Sequence, residues 1–135
     1  MSRVREMVES HPKGSGGRDQ AKLVECVEAC FECAQTCTAC ADACLAEEMV
    51  AELVHCIRTD LDCADVCAAT GSVLSRQAGS DVGIAAALLE ACRVACQTCG
   101  DECQRHADMH EHCRVCAEAC RRCERACAAL LSDLG

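Results

Sequence analysis

Residues 26–44 read CVEACFECAQTCTACADAC, with cysteine at Cys26, Cys30, Cys33, Cys37, Cys40 and Cys44. The steps between them are 4, 3, 4, 3 and 4. An α-helix returns to the same face every three to four residues, so these six thiols form one stripe. It has the a/d spacing of a bundle seam, with cysteine where leucine normally stands.

Three further stripes follow. The second carries Cys56, Cys63 and Cys67, with Asp60 filling the gap in register and Met49 and Leu53 extending it backwards. The third carries Cys92, Cys96, Cys99 and Cys103, continued by His106. In the fourth, Cys113, Cys116, Cys120, Cys123 and Cys127 are followed by Leu130 and Leu134. All 18 cysteines lie on these stripes. The surrounding residues are mostly Ala, Leu, Glu, Arg and Gln, which favour helix.

The pattern predicts an all-α protein, an antiparallel up-down-up-down four-helix bundle with a cysteine-lined core. The helices are expected over about 19–45, 48–77, 81–106 and 109–132, within a bundle spanning 18–135. Asp19 should cap the first, the Gly79-Ser80 pair should end the second and cap the third, and Asp108 with Glu111 has capping-box spacing for the fourth. Residues 1–17 hold the single proline, Pro12, and a Gly/Ser-rich GSGG. They read as a flexible arm with about one helical turn at 3–9.

Composition narrows the function. A chain of 135 residues supports one domain. It has one Phe and neither Trp nor Tyr, so something other than large rings must fill the core. The net charge of −9 argues against nucleic acid as a partner. No uninterrupted apolar run of membrane-crossing length is evident, and the N-terminus has no secretory pattern, so neither membrane nor export is expected. In a reducing cytoplasm the thiols stay free, and cysteines in such number point to metal.

Side chains three and four apart on a helix have β-carbons about 5–6 Å apart, so a CxxxC pair grips one ion without backbone change. Soft thiolates suit Cu(I), zinc or iron–sulfur clusters. Charge balance favours the first. Buried thiolates must be neutralised ion by ion, and Cu(I) does this at roughly one ion per cysteine. Zinc prefers separate four-ligand sites, and iron–sulfur clusters prefer cysteine-rich loops. The expected cargo is therefore Cu(I), in many copies, and all 18 stripe cysteines are candidate ligands.

The two ends of such a bundle differ. One collects Leu23, Leu74, Leu89, Leu130 and Leu134, an apolar plug. The other collects Cys44, Met49, His106, Met109, His110 and Cys113, where thioether and imidazole would serve as exchangeable partners for entering Cu(I). His106 lies on the cysteine register and reads as a ligand. Met49 suits ligation or core filling equally, and of Met109 and His110 only one need point inward. Asp60 faces inward as a ligand or hydrogen-bond acceptor. His55 and His112 flank stripe cysteines and are expected to face solvent, and the Arg121-Arg122 pair reads as a solvated face.

The repeated CxxxCxxCxxxC stripes, with HEHCRVCAEACRRC at 110–123, resemble the bacterial copper storage proteins over nearly the whole chain from Asp19 onward. The resemblance implies a four-helix bundle filled with Cu(I) on cysteine, entered from the His/Met end. It is closest to the cytosolic branch, which implies a homo-oligomer, a tetramer. The chain departs from the pattern in its second helix, where Asp60 takes the place of a fourth cysteine. Two other readings compete with copper storage and protection from copper toxicity: a general thiolate buffer handling zinc, and a thiol redox protein. No CxxC opens a helix after a strand, as redox sites usually require. Nothing pairs a nucleophile with a base and an orienting group, so no enzyme is expected.

Overall fold

The computed structural model describes residues 2–134. It is all-helical, with no strand among the described residues. Helix α1 spans Val4–Ser10, α2 Gln20–Leu45, α3 Val54–Leu74, α4 Val82–His106 and α5 Glu111–Leu134, and a short 3-10 turn over Val50–Leu53 leads into α3.

Two of the long helices start at side-chain caps. Asp19 Oδ1 accepts from the Lys22 backbone N–H at 2.9 Å and opens α2. At α4 the cap is Asp81, not Ser80: its Oδ1 accepts from Ile84 N–H at 3.0 Å. Helix α3 has already ended at Leu74, and Gly79, at φ 68°, only turns the chain. Asp108 does not open α5 either. The first α5 bonds run from the N–H groups of Cys113 and Arg114 to the carbonyl of His110. An exposed Asp108 therefore lies in the turn, and His110 occupies the capping position.

The four long helices close a ring: α2 packs on α3 and α5, and α4 packs on α3 and α5. Diagonal helices meet only through side chains at the centre, as where Cys37 of α2 lies 3.9 Å from Cys99 of α4. Cysteine pairs run in opposite numerical order on neighbouring helices. Between α2 and α5 the pairs are Cys26–Cys127, Cys33–Cys120, Cys37–Cys116 and Cys40–Cys113. Between α3 and α4 they are Cys56–Cys103, Cys63–Cys96 and Cys67–Cys92.

Leu23, Leu74, Leu89 and Leu130 are all buried just beyond the last cysteines at one end of this column. Leu134 is only partly buried against them. Helix α1 lies against α2, with Val8 buried in the same core. Phe31, the one aromatic, rests over Gly71, where an added Cβ would stand 2.9 Å from its ring. The absence of a side chain at 71 is what lets α2 and α3 approach here.

Arg122 and Arg121 are not simply a solvated face. Arg122 bridges α5 to Glu25 (2.8 Å) and Glu32 (2.7 Å) of α2, and Arg121 reaches Asp101 of α4 at 2.6 Å. One expectation about apolar length needs amending. By length and composition, α4 is apolar enough to cross a membrane. Its cysteines contribute to that apolarity, and they are fully buried against the other helices.

Candidate metal centre

Every cysteine is buried and carries a free thiol. Because all four stripes face inward, the sulfurs form one continuous column. Neighbouring sulfurs lie 3.6 Å apart at Cys67–Cys92, Cys67–Cys96 and Cys37–Cys116, and 3.8 Å at Cys26–Cys127 and Cys30–Cys123. Several sets of four place all their sulfurs within 4.8 Å of one another. Soft ligands at this density can hold ions singly or bridge adjacent ones.

Burial without metal sets the protonation. Removing a thiol from water disfavours its charged form. At the mouth, desolvation pushes Cys44 up to about 12 and raises Cys113 as well. Deeper in, the shared S–H protons split neighbours. Hydrogen bonds, first that with Cys120, hold Cys33 below the ordinary thiol range, while those with Cys116 and others push Cys37 above it.

Asp60 lies in this column as its register implied, fully buried. Its Oδ1 accepts from Cys99 at 3.1 Å, Cys116 at 3.2 Å and Cys103 at 3.4 Å. Desolvation first, then the charge of Cys99, pushes its pKa up to about 10. Asp60 thus occupies the position of a fourth α3 cysteine, surrounded by sulfur.

The histidine end departs from expectation in detail. His112, expected to face solvent, points at the core, with Nδ1 3.4 Å from Cys40 Sγ and 3.6 Å from Cys113 Sγ. In the first turn of a helix side chains tilt toward the N-terminus, so a residue just off the stripe covers the end of the column. Burial opposes charge on His112, but hydrogen bonds to Cys40 and Glu47 outweigh it and raise its pKa. His110 is buried and stacks on His112 with ring centroids 5.5 Å apart. Glu47 Oε2 sits between them, 2.9 Å from His110 Nδ1 and 2.8 Å from His112 Nε2. His112 thus joins Glu47 through Nε2 and Cys40 through Nδ1.

His106 pairs through Nε2 with the buried Glu102 at 3.0 Å. Met49 is half-buried against the core, and Met109 is 62% exposed in the turn after α4. His55 faces solvent as expected. Sequence reasoning missed Glu47, which lies in the α2–α3 connection on no stripe and carries no motif.

Fold and site together define a helical metal-holding protein whose core is made of thiols. A family model for copper storage proteins matches residues 19–132. The chain belongs to the copper storage protein family. Among solved structures it is similar to Streptomyces lividans Ccsp loaded with 10 copper equivalents, at 58% identity and a TM-score of 0.94, covering 96% of this chain and 98% of that one. The same S. lividans cytosolic protein with five coppers matches at 63% identity and TM-score 0.84, over 85% and 96% of the two chains. A variant of it with two histidines replaced by alanine matches at 60% identity and TM-score 0.85, over 87% and 98%. No curated protein sequence matches significantly.

Proposed function

We propose that this protein stores many Cu(I) ions in the cytoplasm, at roughly one ion per cysteine, and so protects the cell from copper. The observation that carries the reading is the unbroken column of buried free thiols, with neighbours 3.6–4.0 Å apart and Asp60 as the carboxylate within it. Cu(I) neutralises such a column ion by ion, displacing one thiol proton for each charge it brings. The 58% identity to a copper-loaded S. lividans protein supports the same cargo.

The scaffold for this is an antiparallel, up-down-up-down four-helix bundle from residue 18 onward, preceded by residues 1–17 as an N-terminal arm. The opposed numbering of cysteine pairs on α2/α5 and α3/α4 supports that topology. All 18 cysteines are the proposed ligands, with Asp60 contributing a carboxylate oxygen beside Cys99, Cys103 and Cys116. Entry is through the mouth formed by Cys40, Cys44, Cys113, His110 and His112, whose imidazoles would hand ions to thiols. His106 and Met49 line its outer approach, and Met109 is free to take up an ion first.

A tetramer of chains fits the apolar side chains left exposed along α3 and α4, such as Leu61, Ile84 and Val94. The family is one of storage, and no catalytic turnover is proposed. The net charge of −9 argues against nucleic acid as a partner. Anaerobic titration of fully reduced protein with Cu(I), against a competing chelator, tests the reading. Tight binding to near one ion per cysteine supports it; saturation after a few ions contradicts it.

A further inference from the structure

The sulfur column has a second numerical property. Four of its tight sets share no member: Cys30, Cys92, Cys123 and Cys127; Cys33, Cys63, Cys67 and Cys96; Cys37, Cys99, Cys116 and Cys120; and Cys40, Cys44, Cys56 and Cys113. They run in that order from the leucine end to the histidine mouth. A tetrahedral ion with bonds of about 2.3 Å to sulfur, the zinc–thiolate distance, has S···S edges of roughly 3.8 Å. Within the second set the sulfurs already lie at 3.9 Å (Cys33–Cys63), 3.8 Å (Cys63–Cys67 and Cys63–Cys96) and 3.6 Å (Cys67–Cys96). In the third, Cys37 lies 3.9, 3.7 and 3.6 Å from Cys99, Cys120 and Cys116.

We propose that the copper-free protein binds four divalent ions of the zinc class, one in each of these four-thiol sets. Cys26 and Cys103 are left over: Cys26 ends the column against Cys127, and Cys103 sits beside Asp60. A further set, Cys33, Cys37, Cys63 and Cys120, borrows from two of the four and cannot fill alongside them. Each ion entering a set displaces four thiol protons and leaves a site of net charge −2. Several such buried sites repel one another and lack the one-for-one neutrality of Cu(I) on thiolate. Cu(I) therefore expels the divalent ions, and this loading is a reversible state of the same core. The inference goes beyond the copper reading and does not rest on it.

Anaerobic titration of the reduced full chain with cobalt(II) tests it, because tetrahedral thiolate cobalt absorbs strongly in the visible and hydrated cobalt does not. Saturation is expected at four equivalents, with the colour lost on adding Cu(I). Two double variants with equal numbers of thiols sharpen the test. Cys26→Ser/Cys103→Ser should still bind four ions. Cys92→Ser/Cys123→Ser, which removes half of one set, should bind three. Far-ultraviolet circular dichroism checks that both remain helical, and if either unfolds the wild-type count and native mass of the loaded chain decide. No tetrahedral spectrum, or equal counts in two folded double variants, would overturn the proposal. Cu(I) titrated into the same preparation reads the copper function separately.

Discussion

Asp60 holds a proton in the metal-free fold that the unfolded chain would release, since its pKa rises from 3.8 to about 10 on burial. Its contribution to stability is thus fully present below the unfolded value and is lost as pH climbs toward 10. Between pH 5 and 7, below the range in which ordinary thiols titrate, Asp60→Asn should gain stability relative to wild type. Urea unfolding of both reduced, copper-free proteins at the two pH values measures this, and parallel pH profiles would refute it. At the mouth, Glu47 fixes two imidazoles through one oxygen. Glu47→Gln should slow Cu(I) uptake several-fold in stopped-flow mixing while leaving capacity unchanged. An unaltered rate would remove Glu47 from the entry path. His112 and Glu47 were illegible as a pair because neither lies on a stripe. Only the closing of α5 against the α2–α3 connection brings them within 2.8 Å. Glu102 was equally illegible as a partner: His106 fits the cysteine register, and the carboxylate one turn earlier holds its Nε2.

Helices were the most legible part of the chain, because a 3-4 spacing of cysteine admits one periodicity and that periodicity is helical. Their ends were less so. The cap at Asp81 and the start of α5 after His110 depend on which of several adjacent polar residues the turn presents, which spacing does not fix. The Arg122 bridge to Glu25 and Glu32 was equally hidden, since it joins residues about ninety positions apart. Partly exposed pairs of this kind contribute about 0–1 kcal/mol each. Contact between α2 and α3 at Phe31 and Gly71 is a stronger constraint. Gly71→Leu should destabilise the copper-free protein by about 1–3 kcal/mol, the usual cost of overfilling a packed site. Adding Phe31→Ala should recover part of that loss in a denaturation double-mutant cycle; additive losses would show that the two do not share the space.

Across the whole molecule, a core of small thiols stands where leucines would normally supply most of the burial, and four of the five buried leucines gather at one end, with Leu53 at the other. Leu23→Ala should cost about 2–5 kcal/mol of copper-free stability, as for other large-to-small core changes. Its Cu(I) capacity should stay intact, because the residue lies beyond the column. Loading should then raise the thermal midpoint steeply, since ions held only by the folded state add their binding free energy to it. Removing copper with a strong chelator under reducing conditions should return the midpoint to its starting value. The central claim, that copper occupies the sulfur column itself, is tested most directly by anomalous diffraction at the copper edge on crystals of the fully loaded protein. The account predicts a file of copper peaks along the axis from Cys26 and Cys127 to Cys40 and Cys113, each within bonding distance of cysteine sulfur. A few isolated peaks, or copper only at surface histidines and carboxylates, would contradict it.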